Sequence, residues 1–474
     1  MPHIALHPRW LLLVASLLGS TARAHVELIA VADLDGHQTD KSTLTATALE
    51  NGVAGNQLGG LGSGLAYAGC GQFLALPDRG PNAVPYNAAV SDTTSYINRW
   101  QTLTLELQPN PSADRLPYVL KPHLLATTLL WSPTPLVYGD GQAAGLGNGA
   151  PAINRPGHAF FTGRADNFAA AQPSDDPANA RLDPESLRVS NDGRRVYVSD
   201  EYGPSINVFD RTSGKRLQTF KLPAELAVAH PDARGKREIA GNDSGRYANH
   251  GMEGLAISPD GNILYGVMQG ALLQDGGNHG GIARIVRIDV AGGTAEQFAY
   301  PLENLGTASK PHYSSVSDAL AINGHALLVL ERDGKGRGDD SDAAFKRIYR
   351  IDLSGAEAVA DAKTQVGLAS AAVTKHLFAD LVPLAKARGI DAANIPVKLE
   401  GLSFGPDLIQ SGQTRHTLLV SSDNDFLAQL ASSDSFPTEN PSRIFVLSMA
   451  PSDLLGYLPQ RLTSRCPGES GTSR

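Results

Sequence analysis

The stretch Asp183–Glu201, DPESLRVSNDGRRVYVSDE, decides how the rest of the chain is read. It opens and closes on carboxylates and has a strand–turn–strand pattern between them. Asn191-Asp192-Gly193 is a turn signal, because Gly and Asn accept the positive φ that tight hairpins need. SLRVS and RRVYVSD on either side are rich in Leu, Val and Tyr with partial alternation, which reads as two short strands. Folded about Asp192-Gly193, the hairpin is expected to set Glu185 opposite Asp200. Opposed like charges destabilise a ladder. Solvent, a basic partner, a raised pKa or a bound cation must offset them.

The same plan recurs. HGMEGLAISPDGNILYGVMQG (His250–Gly270), VSDALAINGHALLVLERDGKG (Val316–Gly336) and KLEGLSFGPDLIQSGQTRHTLLVSSDNDF (Lys398–Phe426) each give an acid, a short strand, a turn and a second strand. GLGSGLAYAGCGQFLALPDRGPN (Gly60–Asn82) is the most divergent copy, with Ser63 at the acid position. Further strand-like segments follow most copies: SINVFD, ARIVRIDV, KRIYRIDL and SRIFVLSM. A recurring four-stranded antiparallel unit cannot bury both faces alone, so units pack in a ring. The expected fold is all-β, a β-propeller with five or six four-stranded antiparallel blades. Residues 101–180 are the place for a sixth blade or for long loops. VELIAVADLD (Val26–Asp35) is expected to close the ring by pairing with C-terminal strands. A pair of β-sandwich domains is the competing architecture, and the repeated acid position argues against it.

Composition agrees with a turn-rich β protein: 474 residues, 49 Gly and 30 Pro. DAKTQVGLASAAVTKHLFADLVPLAKARG (Asp361–Gly389) is the one long stretch that reads as helical. The net charge of −8 and the absence of a Lys/Arg-rich run exclude a nucleic-acid surface. The N-terminus, MPHIALHPRWLLLVASLLGSTARA, has basic residues, an apolar run from Trp10 to Leu18 and an Ala22-Arg23-Ala24 end. Residues 1–24 are therefore expected to be a secretory signal peptide, the propeller domain to span 25–466, and 467–474 to be a disordered tail. The apolar run is too short to anchor in a bilayer, so no membrane span is expected after cleavage. A periplasmic or secreted location follows. Cys70 and Cys466 are the two cysteines, to be read as a bridge joining the ends of the mature chain or as two thiols.

Several motifs are set aside. GLSFG (Gly401–Gly405) matches a nucleophile elbow, but the repeat aligns Ser403 with Ala256 and Arg188, a strand position. GDGQAAGLGNG (Gly139–Gly149) has glycines without a strand–helix context. DLDGHQTDKS lacks the spaced ligands of a calcium loop.

In a propeller the repeat would carry Ser63, Glu185, Glu253, Asp318 and Glu400 to one rim of the channel. Asp78, Asp200, Glu201, Gln269, Glu331, Asp423 and Asp425 would lie close by. An oxygen-rich, histidine-poor set favours a hard cation such as Ca²⁺, and Arg79, Arg332, Lys375 and Lys398 supply positive charge. Structural fastening between blades is the bland use of the same residues.

The set LPDRGPN, DPESLRVSNDGRRVYVSDEYGP, NHGMEGLAISPDG, LLVLERDGKG and LEGLSFGPD…LLVSSDND resembles the phytase-like family described as having esterase-like activity. The likeness runs roughly from Leu58 to Ser448. It implies phosphoric-ester chemistry at Glu and Asp residues, carried here by Asp78 and Arg79, Asp183, Glu185, Asp200 and Glu201, Glu253, Glu331 and Arg332, Glu400, Asp423 and Asn424. Gln269 stands where an acid is expected. The function expected is an exported, Ca²⁺-assisted hydrolase of small anionic phosphoric esters. Glu185, Glu253, Arg79 and Arg332 are the catalytic candidates. Asp78, Asp183, Asp200, Glu201, Asp318, Glu331, Glu400 and Asp423 are the metal candidates. A non-catalytic ligand- or protein-binding propeller with structural calcium is the alternative, and hydrolysis of other esters or lactones is a third.

Overall fold

The computed structural model describes residues 25–112, 115–139, 145–359, 365–431 and 438–463. Five antiparallel sheets are arranged as a five-bladed β-propeller. The innermost strands are Gly64–Gly69, Pro184–Val189, Met252–Ile257, Ser315–Ala321 and Lys398–Phe404, one per blade. Each contacts its two neighbours around the channel. There is no sixth blade among the described residues. Arg99–Pro109 and Tyr118–Leu129 form the outer half of blade one, and from there to Asp183 only two-residue strands occur.

Val26–Leu34 pairs antiparallel with Ser442–Met449, from Val26 opposite Met449 to Leu34 opposite Ser442. The first strand of the chain is thus the outermost strand of the last blade, which closes the ring as its sequence predicts. Leu28, Ile29 and Ala30 are buried there. Burying a Leu or Ile side chain stabilises by about 1.5–3 kcal/mol, so closure has a real apolar driving force.

The stretch expected to be helical is broken up. Gln365–Ser370 and Leu381–Ala387 are helices, but Lys375–Asp380 is the fourth strand of blade four, paired with Lys346–Asp352. Blade four needs an edge strand, and pairing overrides a local preference worth only tenths of a kcal/mol per residue. Asp380 ends the strand and caps the second helix, accepting from the Val382 amide.

Register supplies two corrections. The hairpin of blade two sets Pro184, not Glu185, opposite Asp200, and a β-bulge follows before Leu187 meets Val198. The same bulge recurs between Met252 and Gly254, between Val316 and Asp318, and between Leu399 and Gly401. Glu253, Ser317 and Glu400 are the extra residues, and Glu185 lies in the corresponding bulge. Asp318 therefore does not share their position; Ser317 does. A bulge re-aims a side chain out of the ladder, so the repeated acids turn toward the channel mouth instead of facing a cross-strand partner.

Asp318 stands one residue deeper, where blades one, three and five have Gly64, Gly254 and Gly401. A Cβ at Gly254 would lie 3.0 Å from the Ala319 nitrogen and 3.1 Å from the Asp318 carbonyl carbon. One carboxylate fills the space these glycines leave. Asp318 accepts from the Leu255, Leu402 and Ala319 amides at 3.3, 2.7 and 2.8 Å and from Ser186 Oγ at 2.8 Å. Arg188 Nη2 pairs with it at 2.8 Å, while the same guanidinium donates to the Leu65 and Ala319 carbonyls at 3.1 and 2.7 Å. This one ion pair touches all five blades and blocks the channel.

Below it, the C-terminal segment crosses the other mouth. Tyr457 packs on Phe404 of blade five, with ring centres 4.4 Å apart. The Leu458 amide donates to Ile322 of blade four at 2.9 Å, and Gln460 donates to the Val189 carbonyl of blade two at 2.8 Å. Cys70, in the first turn of blade one, is disulfide-bonded. Cys466, residues 1–24, where a signal peptide is expected, and the tail after 466 lie outside the described residues.

Candidate functional site

The bulges and second-strand ends deliver their acids to the upper mouth. One oxygen each from Asp183, Glu185 and Glu201 lie within 4.8 Å of one another, and so do one each from Asp78, Asp423 and Asp425. Apart from the partly exposed Asp425, these side chains are buried. Arg79 reaches into the first group. Its Nη1 pairs with Asp183 and lies 3.3 Å from Glu201, its backbone amide donates to Asp183 at 3.1 Å, and its Nη2 donates to Asn249 at 2.7 Å. Lys398 Nζ sits 3.0 Å from Asp423 and 2.5 Å from Asp425. Arg332 links the groups' other flank: its Nη2 donates to Glu400 at 2.8 Å and its Nε to Ser317 at 3.0 Å. Glu400 also accepts from Ser63 at 3.3 Å. Glu253 is held by the amide of Gln269.

Eight carboxylates (Asp78, Asp183, Glu185, Glu201, Glu253, Glu400, Asp423 and Asp425) thus gather around three cations, Arg79, Arg332 and Lys398. Burial and mutual repulsion raise most of these carboxyl groups, and the neighbouring cations hold two of them low. Burial, then the field of Glu253 and Asp183, pushes Glu185 well up. Burial, then Glu201 and Glu400, does the same to Glu253, against the pull of Arg332. Burial, then Asp423, raises Asp78. Glu201 is pushed up to about 8 by burial and Asp183, with Arg79 opposing. Asp423 rises to about 6 through burial, tempered by Lys398. Burial would also raise Asp183, but Arg79 and hydrogen bonds from Glu201 and Glu185 outweigh it and hold the group low. Asp425 is likewise kept low by Lys398 against burial.

Three of the expected metal candidates have their oxygens committed elsewhere. Asp200 accepts from the amides of Asp183, Tyr202 and Gly203 and from Ser205, at 3.0–3.1 Å, and so shapes a turn. Glu331 bonds Tyr300 and Lys375, each at 2.5 Å, the Glu303 amide and Ser314, a fastening between blades three and four. Asp318 is the axial plug. Strand alternation accounts for Glu331: it precedes Arg332, and neighbouring side chains leave opposite faces. Asn424 bonds the Gly60 amide and the Asn440 carbonyl, a loop-holding role. Ser403 accepts from the Tyr67 amide at 2.9 Å within its strand, as its alignment predicts.

Asn249 was not singled out in the sequence. It has φ +59° and orients Arg79. Its signal was present in Asn249-His250-Gly251, since Asn is among the few residues that accept a left-handed backbone.

The donor set suits a hard divalent cation. Both groups offer only carboxylate oxygens, and both are short of positive charge. Beside the first group a cleft of about 750 Å³ opens, lined by Arg79, Glu201 and Asn249 at its inner end. That volume is in the range of small-molecule sites.

A family model described as Phytase-like, esterase-like activity of phytase, matches residues 56–426. A curated relative from Arthroderma benhamiae, named an uncharacterized secreted protein, is 31% identical over 331 residues, 59% of this chain. The chain matches 60% of that relative's length. Among solved structures, the Pseudomonas aeruginosa periplasmic gluconolactonase covers 81% of this chain with 87% of its own, at 12% identity and TM-score 0.32. The PQQ-bound aldose sugar dehydrogenase of Streptomyces coelicolor covers 90% with 98% of its own, at 12% identity and TM-score 0.32. Both are distant likenesses. The family match takes in all five inner hairpins, four blades whole and the fifth without its two outer strands, together with both carboxylate groups, and the chain belongs to the phytase-like family.

Proposed function

We propose that this protein is an exported hydrolase of phosphoric esters that works at the acidic upper mouth with a bound hard cation, Ca²⁺ being the best fit. The observation that carries the reading is the pair of buried carboxylate triads, Asp183/Glu185/Glu201 and Asp78/Asp423/Asp425, set beside Arg79, Arg332 and Lys398. The secreted relative and the family match support export and ester chemistry. Either triad would hold the cation. When bound, such a cation polarises a phosphoryl oxygen and offsets developing negative charge.

The chain's own residues do the rest. Arg79 and Arg332 orient the anionic phosphoryl group by charge-assisted hydrogen bonds. Glu253 is the general base, because it belongs to neither triad and Gln269 fixes its orientation. It takes a proton from the attacking water as the new P–O bond forms. The ester P–O bond breaks, and the leaving oxygen takes a proton from solvent. Glu185, placed in a triad, is assigned to cation binding.

The test is turnover of an aryl phosphodiester, an aryl monoester and a carboxyl ester, each with Ca²⁺ and with chelator. The expected result is Ca²⁺-dependent phosphoester turnover that falls roughly 10²–10⁴-fold in Glu253→Gln. Flat rates on all three, with Ca²⁺ still raising the melting temperature, would replace the hydrolase with a binding protein.

A further inference from the structure

The cleft that leads away from Arg79 differs in charge from the mouth it joins. Six cations line it, Arg79, Arg181, Arg234, Lys236, Arg237 and Arg246, against the acids Asp92, Glu201, Asp232 and Glu238. This positive excess lies in a chain whose net charge is −8.

The floor of the cleft carries buried guanidiniums with few direct acceptors. Arg181 is buried between the rings of Phe168 and Tyr202, 4.5 and 5.0 Å from their centres. One guanidinium nitrogen donates to the Ala165 carbonyl at 3.2 Å, while Nε and Nη2 have no hydrogen-bond acceptor. The nearest carboxylate, Glu238, is 3.7 Å from Nη2 and is already engaged by Arg246 at 2.8 Å and by the Asp232 amide at 3.1 Å. Two buried guanidiniums therefore converge on one carboxylate at close range, with Asp200 and Glu201 acting from further off. A buried charge without a full partner costs several kcal/mol, roughly, and an anion above this floor lowers that cost through its field. The wall supplies direct contacts. The side chains of Arg234 and Arg237 are 45% and 62% exposed and share the one carboxylate Asp232, at 4.0 and 3.0 Å, and Lys236 between them is exposed.

We infer that the substrate carries a second oxyanion group, apart from the ester that reacts, and that this group docks on the Arg234–Arg237 wall over Arg181 and Arg246. The inference rests on the hydrolase reading for its placement of the reacting ester at Arg79 and Arg332. The cleft of about 750 Å³ is in the size range of small-molecule sites. Phosphoryl and carboxylate groups present the same chemistry to guanidinium donors.

Two measurements on the mature protein test this. Calorimetric titration with inorganic phosphate and with malonate compares the wild type with an Arg234→Gln/Lys236→Gln/Arg237→Gln variant, whose changes are at exposed positions. Roughly tenfold or greater weakening for at least one anion is expected, and the stronger binder identifies the group as phosphoryl or carboxylate. Equal affinities in the two proteins would overturn the subsite. The second measurement is the kcat/KM ratio for an aryl phosphodiester bearing a second phosphate over the plain diester. The ratio is expected to fall at least tenfold in the variant, and an unmoved ratio would count against the subsite. If neither diester turns over, the hydrolase reading fails while the titration still decides whether the wall binds anions.

Discussion

At the residue scale, Asp318 shows how one side chain can change its meaning once register is known. In the sequence it lies three residues before Ala321 as Glu253 lies four before Ile257, an offset of one that a bulge conceals. Its carboxylate accepts from blades two, three, four and five, and its partner Arg188 reaches blade one. Asp318→Ala leaves Arg188 buried and unpaired, and is expected to lower unfolding free energy by about 3–5 kcal/mol in a denaturant titration. A loss below 1 kcal/mol would show that the axis is not held by this pair. His250 gives a pH prediction. Burial, then Arg332, lowers its pKa to about 4. The folded protein keeps this imidazole neutral while the unfolded chain takes a proton near pH 6.5. Stability is therefore full above pH 6.5 and is lost as the pH falls toward 4, by up to about 3 kcal/mol. His250→Gln should remove that part of the acid sensitivity in melting curves recorded from pH 7 to 4.

At the scale of elements, the repeated bulge is what turns a hairpin end into a site. Without it Glu253 and Glu400 would sit opposite ladder partners, at a fixed side of the pleat. The extra residue frees each to face the mouth. The hairpins, their turns and the closing strand Val26–Leu34 were legible because period-2 alternation and Asn/Asp-Gly turns are local signals. The bulges were not, since the inner strands are buried on both faces and carry no clean alternation for an added residue to interrupt. The segment Asp361–Gly389 misled for the opposite reason: its apolar spacing fits a helix, yet blade four takes Lys375–Asp380 as its edge strand. Asp380 marks that switch. It caps the helix at Val382 and pairs with Arg347 at 2.9 Å. Asp380→Ala is expected to cost about 1–2 kcal/mol, read by thermal unfolding, with hydrogen exchange rising first in Leu381–Ala387. Uniform exchange across the helix and the rest of blade four would contradict a capping role.

At the scale of the whole molecule, the channel is divided. Carboxylates and three cations occupy the upper part, the Arg188–Asp318 pair blocks the middle, and Tyr457, Leu458 and Gln460 cover the lower mouth. The acids therefore face the upper mouth, with the Arg188–Asp318 pair and the C-terminal segment on their other side. Truncation after Asp453 removes the buried Leu454 and the ties to blades two and four. It should lower stability by roughly 3–5 kcal/mol while leaving Ca²⁺-dependent melting shifts intact. Loss of the Ca²⁺ response in the truncated protein would mean that the two mouths are coupled.

The sequence by itself determined the architecture but for the choice of five blades over six: alternation, turn chemistry and repetition are properties of neighbouring residues, and they specify antiparallel blades that must close in a ring. It also named seven of the eight acids that meet at the mouth as site candidates, with Asp425 placed close beside them. Only the tertiary structure decided which acids share a triad, which hold turns or fasten blades, and which one plugs the axis. Those distinctions depend on one-residue shifts in pairing and on which donors arrive from other blades, and neither is encoded in local spacing.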